Sequence, residues 1–413
     1  MTHIPHPRRA SSQRSRLMLA VAASAGIALL ASACSATAAP PNDAAVDSAS
    51  PQAAQRLAVT TAGGITVLDG SEVRNGKLTV VDTLDTEQFT RLNSFGDGQH
   101  LLVTTSRGFE VLDTEAAKLT GLIFPASSAG HAVRHDGTTV LYDDGTGRTT
   151  ILDTAALATD NTTVPAAQEY EADSPHHGVS IALSDGTLLT TVGDDTSRSG
   201  AAALEPHDDH WHEITASDEC PGIHGEGTAQ DEAVVFGCED GALLYSDGAF
   251  TKLPAPDAYG RMGNAWVSDT SSLVVGDYQS DPDAEGYLLD SVALIDTQAG
   301  TLRVAELPAE VRYTYRDVVR GPEDHAYILS TDGSIHVLDP VSGTIVTSFP
   351  VIEPWEGPAD WQDAHPTITS DGDTAYVTEP AARTVHAVDL TTGNILASTK
   401  IDGAPNEIAI ASS

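Results

Sequence analysis

One short mark recurs along this chain and constrains its fold more than any other feature. Two apolar residues followed by an aspartate stand at Val67-Leu68-Asp69, Val111-Leu112-Asp113, Ile151-Leu152-Asp153, Leu294-Ile295-Asp296, Val337-Leu338-Asp339 and Ala387-Val388-Asp389. Successive aspartates are 44, 40, 143, 43 and 50 residues apart, and 143 accommodates three periods of similar size. Between the marks, short β-branched runs alternate with ten Asp-Gly pairs, a dipeptide that closes tight hairpins. From Arg56 onward no helical periodicity appears. A repeat in the forties with four strands to the unit predicts a β-propeller.

The number of blades follows from the turns. Innermost-strand turns fall near Asp97, Asp136, Asp185, Asp231, Asp269, Glu323 and Asp371. Residues 57–82 supply three strands with no inner strand before them, and 404–410 read as an inner strand with no successors. Pairing those two pieces completes an eighth blade and closes the ring, which removes the exposed sheet edges. The expectation is all-β: one propeller over 56–413, with eight four-stranded blades, or seven if two of the units share a sheet.

The first 33 residues have a different character. Arg8, Arg9, Arg14 and Arg16 precede an apolar run from Leu17 to Leu30, and small residues then lead to Cys34. That order predicts a signal peptide over 1–33, with a run too short for a membrane span. Small residues followed by cysteine resemble the lipobox of bacterial lipoproteins, although Ala31 stands where leucine is usual. Lipidation of Cys34 would give a membrane-anchored extracytoplasmic protein; plain secretion is the alternative. Residues 34–55 then read as the lipidated cysteine and a flexible tether. Cys220 and Cys238 are symmetric about Ala229, so a hairpin turning near Thr228–Asp231 would set them opposite each other at disulfide distance. Two lone cysteines could also serve as metal ligands.

Charge narrows the partners. The 59 acidic residues against 21 basic ones give a formal charge of −38. Such a surface repels phosphate backbones and anionic headgroups, which argues against nucleic acid and against membrane contact other than through a lipid anchor. It attracts cations weakly, and acidity alone specifies no metal.

The histidines are more informative. His131 precedes its inner-strand turn by 5 residues, His224 by 7, His365 by 6 and His177 by 8, with His176 beside it. All therefore lead into inner strands on one face of the ring, aimed at the axis. His131, His177 and His224 lie on three consecutive blades, so their imidazoles can converge. Three imidazoles with a carboxylate or water suit Zn²⁺. Glu226 and Asp363, each two residues from a channel histidine, are candidate fourth ligands or orienting groups. A second candidate cluster is His207, His210 and His212, the last two on one face of a strand by period two. Zinc binding should weaken as pH falls toward the ordinary histidine pKa of about 6.5.

The segments Cys220-Pro221-Gly222-Ile223-His224-Gly225-Glu226-Gly227, Gly260-Arg261-Met262-Gly263-Asn264-Ala265-Trp266 and His365-Pro366-Thr367 resemble the secreted β-propeller zinc metallochaperones of the AztD type. The likeness runs over residues 56–413, and the His-Gly-Glu segment is its most specific part. It implies a carrier that holds zinc outside the cytoplasm and passes it to the solute-binding protein of a zinc ABC transporter; the chain itself is expected to be a monomer. It also implies a Cys220–Cys238 disulfide, zinc on His131, His177 and His224, and lesser roles for His176 and His365. Members of that family can carry a His-rich segment near the mature N-terminus; residues 35–55 here contain no histidine. Two other readings compete. One is a channel-metal lyase or hydrolase using Glu226 as base, although no Gly-x-Ser-x-Gly motif is present; the other is a metal-free interaction scaffold.

Overall fold

The computed structural model describes residues 55–412, Asp209 and Glu285 excepted. The expected signal peptide, Cys34 and all but the last residue of the 34–55 tether lie outside the described residues. No helix among the described residues is long and apolar enough to cross a membrane.

Eight four-stranded antiparallel blades form a propeller ring. Blade 1 is the composite one: Ile408–Ile410 is its inner strand, followed outward by Arg56–Thr61, Gly64–Asp69 and Thr79–Asp85. The closing register sets Leu57 against Ile410 and Val59 against Ile408. Inner strands of blades 2 to 8 are Arg91–Ser94, Ala129–His135, Ser180–Ala182, His224–Thr228, Ala265–Trp266, Val318–Arg320 and Ile368–Asp371. Each of these seven ends in the turn expected from the sequence. Asp136 (φ 42°), Asp231 (φ 60°) and Glu323 (φ 59°) take the left-handed conformation that such tight turns demand.

Burial explains why these segments become strands. Second and third strands are covered on both sides by neighbouring blades, so they read as unbroken apolar runs; Val234–Cys238 is buried throughout. Outer strands face water, and Thr79–Asp85 is exposed along nearly its whole length. The core therefore lies between blades. Val179, Ile181, Leu189 and Ala203 of blade 4 pack on Ile223, Phe236 and Leu243 of blade 5, for example.

The repeated aspartate has a local job. At the end of a third strand its carboxylate accepts the backbone N–H two or three residues on. Asp69 takes that of Ser71 (2.9 Å), Asp153 that of Ala155 (2.8 Å), Asp339 that of Val341 (2.8 Å) and Asp389 that of Thr391 (2.9 Å). Each bond closes the turn into the outer strand, which is how an Asx turn mimics backbone pairing. The sequence period is thus a period of turn closures.

Cys220 and Cys238 are bonded, with Cα atoms 5.0 Å apart, but not as a cross-strand pair. The hairpin pairs Thr228 with Val234 and turns at Asp231–Glu232, two residues beyond the expected axis. Cys220 approaches from a turn ahead of the strand, where the Ile223 N–H donates to the Cys220 carbonyl (3.2 Å). A bulge between His224 and Glu226 takes up part of the offset.

Candidate metal centre

Three of the channel histidines meet. Ring centroids lie 5.3 Å apart for His131 and His177, 5.6 Å for His131 and His224, and 5.1 Å for His177 and His224. One ligand atom from each falls within 4.8 Å of the other two, and among the described residues no other His, Cys, Asp or Glu group of three does so.

Backbone irregularities aim them. In blade 3 the register shifts between Ala129 and Ala132, at His131 itself; in blade 5 it shifts between His224 and Glu226. A bulge turns a side chain out of the alternation that a regular strand would impose. Gly225 permits the second bulge: its φ is +67°, and a Cβ there would sit 2.4 Å from the Gly263 carbonyl oxygen. Gly130 makes room in the same way, since a Cβ would come 2.3 Å from Asp144 Oδ1.

Two of the rings are held through the nitrogen that faces away from the centre. His224 Nδ1 donates to the Gly263 carbonyl oxygen at 2.6 Å, and His177 Nδ1 donates to Asp144 Oδ2 at 2.6 Å. Both partners only accept, so each Nδ1 carries the proton and each Nε2 presents a lone pair in the neutral ring. Those two Nε2 atoms face each other at 3.1 Å. Two lone pairs so close repel unless a cation, a proton or a metal ion, lies between them. The donor set suits zinc, with neutral imidazoles fixed by outer partners in the pattern common to zinc sites. Among the described residues no hydrogen bond holds the His131 ring in a comparable way.

Burial keeps two of the three rings neutral. Desolvation drives His131 well below the ordinary histidine range, with the neighbouring His224 and His177 rings adding to it. His224 is lowered to about 4, again chiefly by desolvation and against the effect of its Gly263 bond. At these two rings proton competition therefore sets in at lower pH than the value near 6.5 expected from sequence.

The remaining sequence candidates lie elsewhere. His176 points away into the blade; its ring nitrogens lie 3.0 Å from Tyr142 Oη, 3.0 Å from Thr191 Oγ1 and 2.9 Å from the Ser174 carbonyl. His365 is buried beside Arg316, whose Nη2 is 2.9 Å from its Nδ1, with the Asp363 carbonyl at 2.7 Å and Thr314 Oγ1 3.3 Å from Nε2. Asp363 meets His365 through its backbone, while its carboxylate accepts the Asp360 N–H at 3.0 Å. Glu226 lines a cavity of about 470 Å³ further along the channel with Val133, Ile181 and Asp269; desolvation pushes its pKa up to about 8. Neither carboxylate belongs to the converging group. His207, His210 and His212 lie on the outer hairpin of blade 4.

Sequence reasoning missed Asp144, the carboxylate that orients His177. Its signal was the Asp143-Asp144-Gly145 turn: Asp143 is consumed by Ser127, Ser128 and Gly145, which leaves Asp144 free to reach the next blade.

Comparison with known proteins agrees with this architecture. No protein-family profile matches the chain. It is 23% identical over 304 residues to the zinc chaperone AztD of Citrobacter koseri, which covers 73% of this chain and 70% of the relative. Two solved structures of the Citrobacter koseri AztD, one of them the apo protein, superpose with TM-scores of 0.71 and 0.69. Each is 20% identical and covers 86% of this chain and 97% of its own. The dihydro-heme d1 dehydrogenase NirN, in complex with DHE, shares the fold at a TM-score of 0.59 and 11% identity, over 88% of this chain and 76% of that one. The resemblance to AztD-type proteins read from the His-Gly-Glu segment therefore extends over most of the chain, whereas the propeller alone is common to proteins of different kinds.

Proposed function

We propose that this protein is an extracytoplasmic zinc metallochaperone. In this reading His131, His177 and His224 hold one Zn²⁺, and the chain delivers it to the solute-binding protein of a zinc ABC transporter. The observation that carries the proposal is the pair of oriented Nε2 lone pairs 3.1 Å apart, joined by His131 at the same point. The similarity to a zinc chaperone over 73% of the chain supports it. Three imidazoles leave a fourth position for a ligand offered by the partner, so the ion can pass by ligand exchange without being released to water. Glu226, the base that a hydrolytic reading requires, lies outside the converging atoms, which favours carriage over catalysis. Residues 1–33 act as the secretion signal, Cys34 carries the lipid, the tether to residue 55 spaces a monomeric propeller from the membrane, and the acidic surface draws cations toward it.

The test is a transfer assay. Zinc-loaded protein is mixed with a zinc solute-binding protein, and movement of the ion is timed against its release to a chelator. Transfer faster than release is expected. Transfer no faster than release would discard delivery, and zinc affinity unchanged by alanine at His131, His177 and His224 would discard the site.

A further inference from the structure

Past the metal centre the channel holds the cavity of about 470 Å³ that Glu226 lines, and zinc chemistry makes no use of it. Its size falls within the about 300–1,000 Å³ common to sites for small molecules. The two sites share inner strands but not residues. Val133 follows His131 by two positions, and Glu226 follows His224 by two. Asp269, in the turn after the blade 6 inner strand, stands at the rim. The cavity therefore opens where inner strands turn, at the end of the ring opposite the one from which the histidines enter.

What marks this cavity is polar groups left without partners. Among the described residues neither the Arg134 guanidinium nor the Asp269 carboxylate makes a hydrogen bond or an ion pair, although both line the space and the Asp269 charge acts on Arg134. The Glu226 carboxyl meets only its own backbone N–H. Thr228 Oγ1, in the same wall, is buried with no partner. The neighbouring His135 shows the usual outcome. Its Nε2 lies 2.6 Å from Glu232 Oε1, and that oxygen also accepts the Ser184 N–H at 2.8 Å. Opposite charges that face one space and do not close on each other are set for something between them. Around these groups the wall is apolar, with Val133, Ile181 and Val267.

The wall selects its ligand by elimination. A metal ion is not held, since among the described residues no three metal-binding groups converge here. A simple anion would serve Arg134 alone, and a simple cation Asp269 alone. A molecule with both charges on a short carbon frame serves both and lays its apolar part on Val133, Ile181 and Val267. The planar fork of Arg134 matches a carboxylate in particular. We infer that this cavity binds a small zwitterion of the α-amino-acid class, with its carboxylate on Arg134, its ammonium on Asp269, and Glu226 and Thr228 taking further hydrogen bonds. The inference goes beyond the chaperone reading and does not rest on it.

Calorimetric titration of the full chain with L-alanine, L-valine and L-leucine tests it, followed by the N-acetyl and amide derivatives of whichever binds most tightly. Saturable binding of the free amino acid is expected, with each derivative, which lacks one charge, weaker by about tenfold or more. Arg134→Met should weaken the amino acid and leave the amide unchanged. Asp269→Asn should weaken the amino acid and leave the N-acetyl form unchanged. Neither side chain holds another part of the protein, so zinc affinity of both variants should stay within about twofold of the parent, which also checks the fold. No saturable binding of the three amino acids, derivatives that bind as well as the parent compound, or binding that survives both substitutions overturns the inference. Failure of zinc binding bears on the histidine triad and leaves this site standing.

Discussion

His224 and His365 start from equivalent places, each leading into an inner strand on the same face, yet their surroundings give them different work. His224 is held by a backbone carbonyl behind it and faces two further imidazoles. His365 faces Arg316, which also donates to Glu407 Oε1 (3.1 Å), Asn406 Oδ1 (2.8 Å) and the Trp361 carbonyl (2.9 Å). Glu407 stands just before the strand that closes the ring, and its N–H donates to Thr60 Oγ1 at 2.9 Å. On one side of the channel the polar groups collect lone pairs for a cation. On the other a guanidinium already supplies the cation, and the histidine belongs to a network that holds the ring shut. Position in a repeat brings a side chain to the axis; the blades on either side decide what it meets there.

Removing a ring from each side separates the two roles most sharply. His177→Ala or His224→Ala should lower zinc affinity by more than the about 10–100-fold that losing an outer partner costs. His365→Ala should leave it within about twofold, since no converging ligand atom is lost. Competition against a zinc dye measures both, and equal losses would mean that His365 serves the ion as directly as His177 and His224 do.

Arg316→Met probes the closure side. It takes from the buried Glu407 carboxylate its 3.1 Å partner and leaves only Arg91 Nε, 3.6 Å away, so the denaturation midpoint should drop while zinc affinity of the folded protein holds. An unchanged midpoint would mean the network is dispensable for closure.

A smaller effect is expected for Asp144→Asn. Loss of the carboxylate removes the charge that holds His177 in its Nδ1–H form, and affinity should fall about 10–100-fold with little change in stability. Recovery in Asp144→Glu would tie the effect to the carboxylate, whereas a stability loss matching the affinity loss would make Asp144 structural.

The mildest test is pH, and its sign follows from burial. His224 and His365 are both lowered to about 4, the latter by desolvation first and then by the Arg316 charge. An unfolded histidine titrates near 6.5, so between about 6.5 and 4 the unfolded chain binds more protons. The stabilising contribution of a neutral, buried His365 to the metal-free protein should therefore decline across that window as pH falls; the difference in denaturation midpoint between the parent and His365→Ala, measured from pH 7 to 4, checks it, and a difference that does not change with pH would overturn it.

Much of the ring was legible before any coordinates. The apolar-apolar-Asp mark is local: its carboxylate closes a turn two or three residues away, so its spacing reports the blade period directly. The split eighth blade was equally readable, because three strands at one end and one at the other can satisfy their edges only by pairing. The cysteine axis was misjudged by two residues because bulges and non-strand turns shift the count without leaving a compositional trace. Asp144 escaped notice because a carboxylate beside a glycine reads first as a turn residue, and its partner lies 33 positions away on another blade.

What the sequence determined by itself is whatever depends on neighbours in the chain: strand, turn, period, and which residues lead toward the axis. Tertiary structure alone decided which of those residues meet. It set three imidazoles face to face, gave the fourth to Arg316, turned His176 into the blade, and left Glu226 further down the channel. The reason is geometric: those encounters occur between blades, where packing and small bulges fix the last few ångströms, and no pattern within a single repeat records them.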